Sequence, residues 1–333
     1  MASIRTITQE CMETDKPLVS ILMAVYKPNE MWLREQLSSL NAQTYPHLEL
    51  LICDDCPACP LDESVVRELI TAFPYRIIRD GRNLGSNKAF ERLTVEGAGK
   101  YFSYCDQDDV WHPDKIQRMT EVLERTGSPL VCSDLAIIDG NDRRIADSIT
   151  KIRKRHVFRE GGGLAPSLLV SNFVTGCAMM VRADTAKSSV PFVDSLVHDQ
   201  WLAINAALTG RIEVIREPLI DYRQHEGNQT GVLKGVVTKQ DYYEARIENM
   251  RNRLADYKSR LGGFSEVRQT IAGLEEFNEA RSRYFYTHKR EDLRIMKKYK
   301  KFARQDVLIE TVMPFVPEGL MKLAFRLIQN GRV

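Results

Sequence analysis

The sequence predicts an α/β fold, a mostly parallel sheet flanked by helices, with a helical C-terminal region. Three observations carry that prediction. Pro17 to Tyr26 is a nearly continuous apolar run, the composition of a strand covered on both faces. Strand, turn and helix signals then alternate as far as Arg125. Beyond Gln240 the pattern changes to charged segments with apolar residues every three or four positions.

Lys27-Pro28-Asn29 ends the first strand, and Asn29 is suited to cap a helix whose Leu33, Leu37 and Leu40 share one face. Leu48 to Cys53 is a second buried strand, which completes a βαβ unit. Asp54 and Asp55 stand at its end, where an open sheet places a carboxylate for a base or ribose. A helical stretch from Leu61 to Phe73 leads into a third strand, Tyr75 to Arg79. A turn over Asp80 to Gly85 and a helix over Ser86 to Val95 follow. Tyr101 to Cys105 is a short buried strand that runs into Asp106, Asp108 and Asp109, and Pro113 opens the next helix.

After a strand at Leu130 to Ile138, residues 142–159 are irregular and basic, with Lys151, Arg153, Lys154 and Arg155. Gly161-Gly162-Gly163 reads as a hinge for a mobile lid, or as part of a surface excursion. Ser171 to Val181 reads as a strand, Val197 to Gly210 as a helix and Pro218 to Asp221 as a strand, with a mobile loop over Gln229 to Lys239. Tyr243, Ile247, Met250, Leu254, Tyr257 and Leu261 form an apolar stripe that Gly262-Gly263 ends, and Val267, Ile271 and Leu274 begin another. The stripes suit an antiparallel helix pair or a contact between copies of the chain. Pro317 to Val333 is amphipathic, suited to docking or to lying on an anionic membrane.

The chain has 333 residues, 43% hydrophobic and 28% charged, with a formal charge of +2. That balance excludes disorder and gives no reason for a nucleic-acid partner. Met1 to Asp15 lacks the apolar core of a secretory leader, so a cytoplasmic location is expected. Seven cysteines then read as reduced thiols. Cys53, Cys56 and Cys59 have metal-like spacing but no fourth ligand nearby.

The acids after Tyr101 to Cys105 raise one another's pKa unless a cation lies between them. Hard oxygen ligands beside a diphosphate favour Mg²⁺ or Mn²⁺. The competing reading is a solvated acidic turn that caps a helix. No Gly-x-Gly-x-x-Gly and no Walker loop is present, which argues against a dehydrogenase or an NTPase.

These pieces together resemble the inverting, family 2 nucleotide-sugar glycosyltransferases of the GT-A (Rossmann-like) fold, and their bacterial rhamnosyltransferase-like branch in particular. The resemblance rests on the first strand with Tyr26, Asp54-Asp55, Asn83-Leu84-Gly85 and Asp106-Gln107-Asp108-Asp109-Val110-Trp111 through Lys115. It extends to Asn172-Phe173-Val174-Thr175-Gly176, His198-Asp199-Gln200-Trp201, and Tyr222-Arg223-Gln224-His225 with Asn228. It implies an N-terminal tail over 1–16 and a catalytic domain over 17–235, with a nucleotide-binding half, 17–125, and an acceptor half, 126–235. A helical region over 236–333 follows.

The resemblance further implies a UDP- or dTDP-sugar donor and a glycan or lipid-linked oligosaccharide acceptor in O-antigen or capsule synthesis. Tyr26, Asp54, Asp55, Asn83, Asp106, Gln107 and Arg223 would bind the donor, one of Asp54 and Asp55 being functional and the other structural. Asp106, Asp108 and His225 would hold Mg²⁺ or Mn²⁺. Asp109, Trp111, Thr175, Gly176, His198 and Trp201 would line the acceptor or sugar side, although an indole at Trp111 also suits packing beneath the loop. Asp199 is the expected general base, since displacement at the anomeric carbon needs one carboxylate opposite the leaving group. Peripheral contact with the inner face of the membrane and oligomerisation through the C-terminal helices are compatible partners. The competing functions are a sugar nucleotidyltransferase, whose Gly-rich basic loop is missing after the first strand, and a non-catalytic nucleotide- or glycan-binding scaffold.

Overall fold

The computed structural model describes residues 16–153, 156–225 and 235–329. The tail through residue 15, Lys154, Arg155, Asn228 and most of the 229–239 loop lie outside the described residues. The described residues fall into two compact units, one of 16–168 and 172–225, the other of 169–171 and 235–329.

The first unit is built on a sheet of β1 (Val19–Val25), β2 (Leu48–Asp54), β3 (Tyr75–Ile78), β4 (Tyr101–Cys105), β5 (Val110–Trp111), β6 (Leu130–Ile138), β7 (Arg144–Ala146), β8 (Met179–Arg182) and β9 (Ile212–Arg223). Its order is β3-β2-β1-β4-β8-β6-β9-β5, with β7 beside β6. β1 lies at the centre of the nucleotide-side half and pairs in parallel with both β2 and β4. Ile21, Leu22 and Met23 are all fully buried, which requires cover on both faces. Each such side chain contributes about 1.5–3 kcal/mol through burial.

The sheet is parallel only in part. β8 runs antiparallel to β4 and to β6, and β5 runs antiparallel to β9, while β6 and β9 are parallel. The expected strand over Ser171 to Val181 is confined to β8, because Gly176–Ala178 turns as a 3-10 helix. Within the glycine triplet Gly161 is tied to the sheet: Gly161 and Ile212 exchange both backbone hydrogen bonds, at 2.9 and 3.0 Å. Part of the expected irregular basic loop is β7 and a short helix, Ile149–Ile152.

Helices α1 (Glu30–Asn41), α2 (Glu63–Leu69), α3 (Ser86–Glu96) and α4 (Lys115–Thr126) connect the strands of the first half, and α5 (His198–Thr209) precedes β9. Asn29 caps α1, its side chain accepting from the amides of Met31 and Trp32 at 3.0 and 3.3 Å. Cys56 and Cys59 form a disulfide, contrary to the expectation of reduced thiols. The turn between them brings their Cα atoms to 5.4 Å, within bridging range.

The second unit is helical, with α6 (Asn249–Leu261), α7 (Ser265–Thr287), α8 (Arg290–Lys298), α9 (Arg304–Val312) and α10 (Glu318–Gln329). Tyr257 donates to the Leu169 carbonyl at 3.2 Å, which ties 169–171 to this unit. The apolar stripe from Tyr243 to Leu261 is buried within the chain, so it offers no face to a second copy, contrary to the oligomer reading. Arg281 is buried and paired with Glu310, whose oxygens accept from Nε at 3.0 and 2.9 Å. No helix among the described residues is long and apolar enough to cross a membrane.

Replacing Asn29 by Ala leaves two first-turn amides of α1 without their cap. The expected cost is about 1 kcal/mol, read as a lower urea midpoint with an unchanged slope.

Candidate active site

β4 delivers its chain end beside β1, and three acids follow within four residues. Asp106 and Asp108 remain partly exposed, whereas Asp109 is fully buried. Burial pushes the Asp106 carboxyl up to about 7, and the neighbouring charges of Asp108 and then Asp199 add to the shift. Asp109 is raised well above the carboxylate range by burial and then by Asp108 and Asp106. Its Oδ1 accepts from the Arg223 amide at 2.9 Å, and its Oδ2 has no protein partner. Asp109 therefore lies under the site and not on the acceptor side.

One buried cation lies under this cluster. Lys115 is buried, donates to the Cys177 carbonyl at 2.7 Å and sits 3.0 Å from the centre of the Trp111 ring. Burial lowers its pKa to about 7. Trp111 is thus a floor for Lys115 and not a sugar contact. Arg223, expected to neutralise phosphate, is fully buried and committed to the protein. Its guanidinium donates to the Asp108 carbonyl at 2.8 Å, to Glu35 at 2.6 Å, to the Asp139 carbonyl at 3.3 Å and to Asp142.

His225 Nε2 lies 2.8 Å from Asp108 Oδ2, and its ring packs on Trp32 at 4.6 Å. Asp106, Asp108 and His225 offer the ligand types a hard cation takes, but the structure joins only Asp108 and His225: the three do not form a set whose ligand atoms lie within 4.8 Å of one another. Among the described residues, the one set of three whose ligand atoms lie within 4.8 Å of one another is Asp106, Asp109 and Cys177. That set is a poor match for Mg²⁺ or Mn²⁺. The Cys177 thiol is soft, and burial with Asp109 and Asp106 pushes its pKa well up.

Asp199 lies in the first turn of α5. Its Oδ1 accepts from Asn172 Nδ2 at 3.0 Å and its Oδ2 from the Gly176 amide at 3.1 Å. Burial nevertheless raises its pKa to about 6, against these hydrogen bonds. Asn172, which the sequence marks only through the Asn172–Gly176 motif, is the side chain that orients this carboxylate. Gly176 sits so close that a Cβ on it would meet His198 Nε2 at 2.7 Å.

His198 is buried between Phe90 and Tyr104, at ring separations of 4.0 and 5.4 Å, and burial lowers its pKa to about 3. Trp201 is also buried and donates to the Ser189 carbonyl at 2.8 Å. Neither lines an acceptor surface, since both lie on the inward face of α5. Thr175, partly exposed, immediately precedes the 3-10 turn.

On the nucleotide side, Tyr26 follows β1 with its ring about half exposed. The Gln107 side chain pairs with both backbone groups of Tyr26, at 2.8 and 3.1 Å, so it staples two loops and does not grip the donor. Asp54 accepts from the amides of Cys56 and Leu61 and from Arg79 Nε, which makes it scaffold and not a nucleotide ligand. Asp55 accepts from Leu84 N and Gly85 N at 2.5 and 2.8 Å, each oxygen keeping a second lone pair. Gly85 has a φ of 79°, which only glycine adopts without strain. Asn83 is exposed and donates to the Asp55 carbonyl at 3.0 Å.

Gly176→Ala forces the stacked His198 ring to move. The expected destabilisation is about 1–3 kcal/mol, measured by urea unfolding.

Known proteins share this arrangement of strands. The glycosyl transferase family 2 profile matches residues 20–187. An uncharacterized glycosyltransferase of Methanocaldococcus jannaschii is 26% identical over 218 residues, which is 63% of this chain and 72% of the relative. The dTDP-rhamnosyl transferase RfbG of Shigella flexneri is 26% identical over 226 residues, 63% of this chain and 73% of its own length. Among solved structures, S. aureus TarS 1–349 in complex with UDP-GlcNAc aligns with a TM-score of 0.57, covering 94% of this chain and 88% of that one at 16% identity. That likeness concerns the fold, which is GT-A. With the profile matched across half of its length, over the strands that present Asp55, Asp106 and Asp108, the chain belongs to glycosyl transferase family 2.

Proposed function

We propose that this glycosyltransferase moves one sugar from a UDP- or dTDP-sugar onto a glycan hydroxyl of a bacterial surface polysaccharide, with inversion at the anomeric carbon. The observation that carries the reading is geometric: Asp199 Oδ2 accepts from the Gly176 amide at 3.1 Å, and the next residue, Cys177, has its sulfur within 4.8 Å of carboxylate oxygens of Asp106 and Asp109. That adjacency supports a base and leaving-group acids that share one crevice. Two relatives support the donor class: RfbG is named a dTDP-rhamnosyl transferase, and TarS was solved with UDP-GlcNAc. A rhamnosyl donor is the finer form of the proposal.

Asp55 and Tyr26 meet the base and ribose, because β1 and β2 are adjacent and end together, Val25 opposite Asp54. Asp106, Asp108 and His225 would hold Mg²⁺ or Mn²⁺, which when bound supplies Lewis-acid stabilisation of the departing diphosphate. Asp199 takes the proton from the attacking hydroxyl. Its raised pKa makes it a stronger base than a solvated carboxylate, while it stays ionised at neutral pH. Asn172 and the Gly176 amide hold its oxygens in place.

The pH dependence follows from the same carboxyl. Its folded pKa is raised, so its contribution favours folding below about pH 4, the ordinary carboxyl range, and is lost as pH rises through about 6. Activity runs the opposite way. kcat/KM for transfer is expected to climb with unit slope up to about pH 6 and then level off. Asp199→Asn is expected to lower transfer by about 10²–10⁴ while leaving UDP binding intact. Asp108→Asn is expected to weaken Mn²⁺-dependent UDP binding in calorimetry. Full transfer by both variants would remove the proposed roles, and UDP binding without turnover of any donor would favour a scaffold.

A further inference from the structure

The last three elements of the helical unit leave an apolar strip uncovered. On α9, Leu308 is 68% exposed and Val312, four residues on, 50%. Phe315 in the following turn is 75% exposed, and on α10 Leu320 and Leu323 are 59% and 54% exposed. Their spacing is helical, i, i+4 and i+7 on α9 and its extension and i, i+3 on α10, so each helix turns one apolar stripe outward. The same helices bury their other faces: Val307, Met313, Met321 and Phe325 are core residues. The exposed stripe is therefore additional to what docking of these helices requires.

Basic residues border the strip. Between Lys289 and Arg304 the chain carries eight Lys or Arg against two acids. Lys297, Lys300, Lys301 and Arg304 are exposed, and Arg304 begins α9 one turn before Leu308. The two features are close in space, since the rings of His288 and Phe315 lie 6.4 Å apart and Lys289 and Arg290 follow His288 directly. On α10, Lys322 is exposed beside Leu323 and Arg326 lies one turn further on.

We propose that this face of the helical unit binds the surface of an anionic lipid bilayer, with Phe315 and the exposed leucines entering the acyl boundary and the lysines resting on the headgroups. Charge decides the occupant. A second copy of the chain would meet this face through a two-fold contact, setting like-charged basic rims against each other. A bilayer bearing anionic headgroups matches both the apolar strip and its rim. α10 has 12 residues, about 18 Å of helix, too short to cross the hydrocarbon and long enough to lie along it. The inference does not depend on the donor or on the catalytic roles proposed above.

Sedimentation of the full chain with vesicles tests it. Vesicles of phosphatidylglycerol and phosphatidylcholine should carry the protein down at 0.1 M salt, vesicles of phosphatidylcholine alone at least tenfold less, and 0.5 M salt should release it. Lys300→Gln and Lys301→Gln should each weaken binding about fivefold, and Phe315→Ser with Leu320→Ser by tenfold or more. These side chains are exposed, so the thermal midpoint should not move, which a parallel melting curve checks. Failure of the wild type to sediment with anionic vesicles would overturn the proposal, as would binding indifferent to Phe315→Ser with Leu320→Ser. A dimer in analytical ultracentrifugation that these serine substitutions dissolve would also overturn it, assigning the strip to a second copy.

Discussion

Four carboxylates, Asp106, Asp108, Asp109 and Asp199, converge at the end of β4, and the cost of holding them together governs the architecture around them. Burial and mutual repulsion would protonate the cluster or open it. The fold answers with Lys115 from below, against the Trp111 ring, and with the backbone amide of Arg223 at the end of β9, which donates to Asp109. Arg223 is the more demanding element. Its guanidinium joins the 108–109 turn, the 139–142 turn and Glu35 of α1, so three loops depend on one side chain. Lys115 alone would be a weak counter-ion, since burial draws its own pKa to about 7.

The same crowding is useful. Asp199 is pressed toward a higher proton affinity by burial while Gly176 and Asn172 fix its direction. The ring stack of His198, Phe90 and Tyr104 beneath it leaves no room for a side chain at position 176. On the proposed mechanism, one aimed carboxylate is enough, because the leaving diphosphate needs charge stabilisation and no second carboxyl acid.

Much of the first half was legible because local signals and tertiary demands agree there. Asn29 caps α1 as its side chain chemistry requires, and the apolar run from Pro17 became a strand buried on both faces. The acids after β4 and Asp199 could be found, since each stands at the end of a strand or the start of a helix. What spacing could not reveal is which polar groups the protein consumes internally. Arg223, Gln107 and Asp54 carry the right chemistry for a donor and are occupied by distant backbone and carboxyl groups. Spacing gives no sign that Lys115 lies under the cluster, where Trp111 and the Cys177 carbonyl create a place for it. β5 has only two residues and lacks the apolar runs that mark the parallel strands, while β8 carries such a run, Met179 to Val181, whose antiparallel direction is set by its partners β4 and β6.

The central claim is that Asp199 works alone, opposite a leaving group held at Asp106 and Asp108. The stereochemistry of transfer tests it most directly. With a UDP- or dTDP-sugar that the protein turns over, proton NMR of the first-formed product reports the anomeric configuration. The account requires inversion, the outcome of a single displacement. Retention would contradict it, since a double displacement needs a second nucleophilic group.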